Sequence, residues 1–271
     1  MELFDSHVHF ERMEALGGVG AVMARAREAG VRRMVAVGGS PELDRSAEAA
    51  ARAFPGEVQL ALGYDRDQAG VRASSPEALA VAVAELRNRV SALCTAGVPV
   101  AALGELGLDY HYAPDSRAGQ VRLFEAQLAL ARELGLPVVV HSRDADADTL
   151  ALLGAHADQW RGDADRIGVL HCYTGTAEMV PRLTALGLYI SFSGILTFRN
   201  ADSLREAARS VPEDRLLIET DSPFLAPVPV RGRQNEPAHV CHVAACLAAV
   251  RASTQERIAA LTTSNGARLF G

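Results

Sequence analysis

A chain of 271 residues, 49% of them hydrophobic, has enough apolar material to fill one large α/β barrel or two small domains. Its formal charge of −6 argues against a protein that coats duplex nucleic acid by bulk electrostatics, and no apolar run approaches the roughly 18 residues a membrane span requires. The opening stretch MELFDSHVHF lacks the basic segment of a secretory signal, and four cysteines without paired spacing give no disulfide framework, so a reducing cytoplasm is the expected compartment.

Short apolar runs alternate with amphipathic stretches along the whole chain. A strand is predicted over 3–9 and a helix over 19–29, then a strand over 31–37 and a helix over 41–54. The alternation continues with strands at 58–62, 98–103, 137–141, 167–171, 188–192 and 216–219. Helices are predicted at 76–96, 117–134, 144–160, 176–186 and 201–210, and two more, 237–250 and 254–269, follow the last strand. The strands are rich in Val, Ile and Leu and only four to seven residues long, as buried parallel strands are. Ser40-Pro41 and Ser75-Pro76 place a capping residue before a proline at the first helical position. Gly30, Gly97, Gly135 and Gly187 each follow a helix and precede a strand.

Eight strand–helix units without a long linker predict an α/β chain folded as a single (β/α)8 TIM barrel with an extra C-terminal helix, one domain over 1–271. A doubly wound open sheet is the alternative. It would carry a phosphate-binding glycine loop, and neither Gly38-Gly39 nor Gly17-Gly18-Val19-Gly20 has the G-x-G-x-x-G form.

In a parallel barrel, chemistry sits where the strands end. The first strand ends in His7 and His9, the fourth runs into Glu105, the fifth into His141, the sixth into His171, and the eighth into Glu219 and Asp221. Alternation along a strand lets His7 and His9 face the mouth together while Val8 packs outward, and it sets Asp5 one layer below on the same face. Asp5 is therefore read as a supporting hydrogen-bond partner, and Glu219 as a carboxylate behind a ligand imidazole or paired with an arginine.

Any one of these groups has a bland reading as a structural histidine or a helix cap. Together they would leave several ionisable groups converging without a neutralising partner, which costs several kcal/mol. Six donors (His7, His9, Glu105, His141, His171 and Asp221) suit two divalent metal ions rather than one. The chain has no lysine, so a carbamoylated lysine cannot bridge them, and Glu105 is the natural bridge. The mixture of imidazole and carboxylate admits Mg, Mn or Zn. Asp221 and Glu105 are the expected catalytic groups, with Asp221 able to accept or orient the proton of a water.

For a phosphate-bearing substrate, Arg143 near His141 and Arg231, Arg233 and Asn235 in the loop after the last strand are the candidate contacts. An ion pair from Arg143 to Asp144 or Asp146, and solvated loop charges, are the rival readings. Tyr110, His111 and Tyr112 offer either a stacking surface or packing over the mouth. His156 is expected on an exposed helix face, and His239, Cys241 and His242 in helix packing. No Gly-x-Ser-x-Gly hydrolase signature is present.

With these residues in place the chain resembles the TatD family of metal-dependent deoxyribonucleases, among the amidohydrolase-like barrels. The likeness rests on DSHVH at 5–9, GELGLDY at 104–110, LPVVVHSRDA at 136–145, LHCYTG at 170–175, ETDSPFLAP at 219–227, RGRQNEP at 231–237 and NGARLF at 265–270. The resemblance implies one ion held by His7, His9, Glu105 and Asp221 and another by Glu105, His141 and His171. It also implies phosphodiester hydrolysis, commonly as a 3′–5′ exonuclease on single-stranded DNA or RNA. The chain departs from the family's G-x-H-P after the third strand, where Gly63-Tyr64-Asp65-Arg66 puts Asp65 in the histidine's place. Arg66 offers either a new partner for phosphate or an ion pair with Asp65 or Asp67, and the ion pair is the expectation.

A two-metal hydrolase of another bond, such as an aminoacyl-tRNA ester, a small amide or a lactone, would need the same donors. A silent binding module would show a broken donor set, and this one is complete. No membrane partner is expected, and a monomer is the default.

Overall fold

Eight parallel strands lie side by side in chain order and curl into a TIM barrel. The computed structural model describes residues 1–271. The elements run β1 (Leu3–Val8), α1 (Val19–Glu28), β2 (Val31–Gly39), α2 (Pro41–Ala53), β3 (Val58–Tyr64), α3 (Ala69–Arg72), α4 (Pro76–Thr95), β4 (Val100–Asp109) and α5 (Arg117–Leu134). They continue with β5 (Val138–Arg143), α6 (Asp146–Gln159), β6 (Gly168–Leu170), α7 (Met179–Ala185), β7 (Tyr189–Phe192), α8 (Asp202–Ser210), β8 (Leu216–Ile218), α9 (Val240–Val250) and α10 (Gln255–Phe270). The capping serines behave as their sequence suggests: Ser40 Oγ accepts the Leu43 N–H at 3.3 Å, and Ser75 Oγ the Ala78 N–H at 3.1 Å.

Two apolar clusters hold the layers together. An outer one of 61 buried residues lies between strands and helices and includes Leu3, Val8, Leu106 and Val140. An inner one of 12 fills the barrel, with Phe4, Val35, Val139, Val169, Tyr189 and Leu217. The end of α10 plugs its floor: Phe270 stacks on Phe4 with ring centroids 5.9 Å apart. No helix is long and apolar enough to cross a membrane.

The seam between β8 and β1 closes differently from the other strand pairs. No continuous ladder joins them; a single bridge pairs Val8 with Ser222. Around it the His9 N–H donates to Ser222 O at 2.8 Å and the Asp221 N–H to His7 O at 3.0 Å. Below, the Asp5 carboxylate accepts the Thr220 N–H at 2.8 Å and the Thr220 hydroxyl at 2.6 Å. This corrects the expected place of Asp5. A register shift between Asp5 and Val8 breaks the alternation, and Phe4, not Asp5, packs in the inner cluster. Asp5 ties the seam and touches no imidazole ring.

His156 is also not where periodicity put it. It is fully buried in α6, against Trp160 at 5.5 Å between ring centroids, with an Arg132 N–H directed at its Nδ1 at 3.2 Å. Burial, reinforced by the Arg132 guanidinium, lowers its pKa from 6.5 to about 4. Between those values the unfolded chain takes up a proton that the folded form refuses. The resulting stability is present above pH 6.5 and lost as pH falls to 4, by about 3 kcal/mol. Urea unfolding of His156→Leu should therefore lose about that much pH dependence across this window; an unchanged profile would assign the dependence to other groups.

Candidate metal centre

The strand ends converge as a barrel requires. His7 Nε2 lies 3.1 Å from His9 Nε2, and both face one oxygen of Glu105: Oε2 is 3.6 Å from His7 and 3.7 Å from His9. Asp221 Oδ1 completes that side, 3.8 Å from His7 Nε2 and 3.6 Å from His9 Nε2. The other carboxylate oxygen, Glu105 Oε1, is 3.4 Å from His141 Nδ1 and 3.6 Å from His171 Nε2. The His7 and His171 rings stack at 3.9 Å between centroids. Five donors from β1, β5, the end of β6 and the end of β8 thus gather around the Glu105 carboxylate of β4, His7 and His9 facing one oxygen, His141 and His171 the other, and Asp221 standing beside the first pair.

What stands behind each imidazole decides which nitrogen is free. A carbonyl can only accept, so His9 Nδ1–H donates to Val37 O at 3.0 Å and leaves Nε2 bare toward the cluster. His171 Nδ1–H donates to Glu219 Oε1 at 3.3 Å, leaving Nε2 buried with no hydrogen-bond partner. His141 Nε2–H donates to Asp109 Oδ2 at 3.1 Å, which frees Nδ1. Three lone pairs are thereby aimed inward by groups outside the cluster. Asp109 was not singled out in the sequence. It lies in the GELGLDY stretch, is fully buried, and also accepts the backbone N–H groups of His111 and Tyr112, each at 2.9 Å. Burial would raise its pKa, but hydrogen bonds from His141 and Tyr112 hold it down to about 2.

The electrostatics of the cluster are unbalanced. Burial and the neighbouring carboxylates Glu219 and Glu105 push Asp221 well above the usual carboxylate range. Glu105 is driven well below it, against the effect of burial, by His171, His141 and His7. Burial lowers His7 and His9, and the adjacent imidazoles press His7 further down. A divalent cation removes this conflict, and the donors fit one. Ligands about 2.1 Å from a common ion lie about 3.0 Å apart at octahedral angles and about 3.4 Å at tetrahedral ones. The observed separations of 3.1–3.8 Å lie within about 0.4 Å of those values. His7, His9 and Glu105 form one set of mutually close donors; Glu105, His141 and His171 form another; His7, His171 and Asp221 connect them.

Around this centre the other expected groups divide. Glu219 is fully buried behind His171 and also accepts the Cys172 N–H at 2.7 Å. Arg143 makes no ion pair with Asp144 or Asp146; its guanidinium lies over the Tyr112 ring at 4.6 Å. Arg231 and Arg233 are exposed, Arg231 over Phe198 at 3.9 Å. Asn235 leaves the substrate set. It is fully buried, its Nδ2 donates to Thr220 O and Phe224 O, and its Oδ1 accepts the Glu236 N–H, so nothing is left for a ligand. Arg66 makes the expected ion pair with Asp67, Nε to Oδ1 at 3.8 Å, and in addition its Nη1 reaches Glu105 Oε1 at 3.2 Å. Asp65 instead caps the turn, accepting the Asp67 N–H at 2.9 Å.

The family model for TatD-related DNases matches residues 4–271. A metal-dependent hydrolase of Escherichia coli K12, YcfH, is 53% identical over 171 residues, and that match spans 63% of this chain and 63% of the relative. A protein of Citrobacter rodentium named 3′–5′ ssDNA/RNA exonuclease TatD is 34% identical over 274 residues, 99% of this chain and 98% of its own length. Among solved structures, the TatD homologue YJJV of Escherichia coli superposes with a TM-score of 0.85 at 28% identity, covering 99% of this chain and 97% of its own.

Two substitutions separate donor from scaffold. His171→Ala should lower the metal retained after reconstitution and dialysis, measured by mass spectrometry, while far-ultraviolet circular dichroism stays unchanged. Gly107 lies between Glu105 and Asp109 at φ +138, and a Cβ there would meet His141 O at 2.0 Å. Gly107→Ala should therefore reduce both metal content and stability, the latter by more than about 1 kcal/mol. Full metal retention by His171→Ala would remove that residue from the donor set.

Proposed function

The chain belongs to the TatD-related DNase family, and we propose that it is a metal-dependent phosphodiesterase that holds two divalent ions and removes nucleotides from the 3′ ends of single-stranded DNA, with RNA a related substrate. The observation that carries this reading is the division of one carboxylate between two donor groups. His7, His9, Asp221 and Glu105 would hold one ion; Glu105, His141 and His171 would hold the other. The name of the Citrobacter relative supports the polarity and the single-stranded substrate.

The chemistry such ions supply is acidification of a water at neutral pH and polarisation of a phosphate oxygen. The chain's own groups do the rest. Asp221 stands at the mouth near Glu219 and Glu105, which raise its affinity for a proton, so its carboxylate would be suited to accept or orient the proton of the attacking water. Glu105 holds the two donor groups in register, and Asp109 and Glu219 keep His141 and His171 in the tautomers their roles need. The Arg66 guanidinium beside Glu105 is placed to meet a non-bridging phosphate oxygen. Arg143, Arg231 and Arg233 meet the backbone farther out, which gives an acidic protein a locally basic rim.

Protein stripped with EDTA and restored with Mg, Mn or Zn should shorten 5′-labelled single strands in a ladder from the 3′ end, and EDTA should abolish the ladder. A parallel panel of aminoacyl esters, amides and lactones decides the bond class. Cleavage of that panel with the oligonucleotides left intact would overturn the nuclease reading.

A further inference from the structure

Among the Phe, Tyr and Trp side chains only two are exposed, Tyr112 at 68% and Phe224 at 44%, and both lie in loops that follow strands carrying residues of the metal centre. Their attachment is alike. Each lies three residues beyond a carboxylate residue of the site, Asp109 or Asp221. Each donates its backbone N–H to that residue: Tyr112 to Asp109 Oδ1 at 2.9 Å and Phe224 to Asp221 O at 2.9 Å. Phe224 is tied a second time, because its carbonyl accepts Asn235 Nδ2 at 2.7 Å. The backbone beneath each ring is thus anchored to the centre while the ring itself is left in solvent.

The rings flank the centre rather than sharing one side of it. Tyr112 follows β4 and Phe224 follows β8, strands four apart in an eight-stranded barrel and so opposite each other. Phe224 adjoins His9, with ring centroids 6.3 Å apart. The Arg143 guanidinium lies over the Tyr112 ring at 4.6 Å and the His111 ring stands at right angles to it at 5.0 Å between centroids, yet the Tyr112 side chain remains largely exposed. A flat, exposed aromatic ring beside a cation is what an unpaired base stacks on, whatever its identity.

We propose that Phe224 and Tyr112 are two nucleobase platforms, which take the bases on either side of the phosphodiester to be cut, one on each side of Glu105. This rests on the nucleic-acid reading above and extends it. Two neighbouring bases can reach opposite rings only if they leave each other's stack, so the platforms select single strands over duplex. They read no base edge and so tolerate any sequence.

The test couples removal of a ring to removal of a base. Binding of a fluorescein-labelled strand, protected by phosphorothioate linkages, is measured by anisotropy with the metal-restored protein. Abasic residues are placed in turn at the last and next-to-last positions. Each abasic site should weaken binding to the unsubstituted protein by about tenfold. One of the two losses should vanish in Phe224→Ala and the other in Tyr112→Ala, because a missing base cannot be missed twice. Losses that persist in both variants, or no loss in the unsubstituted protein, would overturn the platforms while leaving strand cleavage intact. A protein that neither binds nor degrades the strand would overturn the substrate class itself, and the platforms with it.

Discussion

The structure turns on one buried carboxylate encircled by imidazoles. Glu105 faces His7 and His9 with one oxygen and His141 and His171 with the other, at 3.4–3.7 Å. Without a further cation the neighbouring groups are pulled in opposite directions: Glu105 stays ionised, Asp221 favours its proton, and His7 loses its own. Such a cluster is costly to bury unless positive charge is added. The rest of the barrel's mouth is arranged to keep these donors in place despite that cost. Val37 O, Glu219 and Asp109 each take the outer N–H of one imidazole and so direct the inner lone pair.

The same centre lies on the weakest joint of the barrel. Between β8 and β1 the ladder gives way to the bridge at Val8 and Ser222, supplemented by the Asp221 N–H on His7 O and the His9 N–H on Ser222 O. Three of the donors are therefore carried by the segments that close the sheet. Asp5 and Asn235 secure that joint through Thr220, Asp5 from its N–H and hydroxyl and Asn235 from its carbonyl. Fold closure and donor placement are one arrangement here, which gives buried polar residues at this seam a structural reason to exist apart from any contact with substrate.

Much of this was legible in the sequence, and the failures share a physical cause. Strand ends are predictable because apolar runs stop where polar side chains begin, and six polar residues at such ends were enough to indicate one mouth. Local irregularity defeated the finer inferences. The register shift within β1 moved Asp5 away from the face that alternation assigned to it. The apolar pattern of β4 stopped at Leu103, although the strand continues to Asp109, so the carboxylate that orients His141 went unnoticed. Arg66 pairs with Asp67 as its sequence suggests but also reaches across to Glu105, and Asn235 spends its hydrogen bonds on the loop that carries it. Spacing describes direction along an element; it does not describe what a long or amide side chain finds across the barrel.

The most direct test of a carboxylate shared between two ions is anomalous diffraction at the manganese edge from crystals of the Mn-loaded protein. The account predicts two peaks, one on each side of the Glu105 carboxylate, the first among His7, His9 and Asp221 and the second between His141 and His171. A single peak, or peaks that leave Glu105 bound to only one ion, would contradict it.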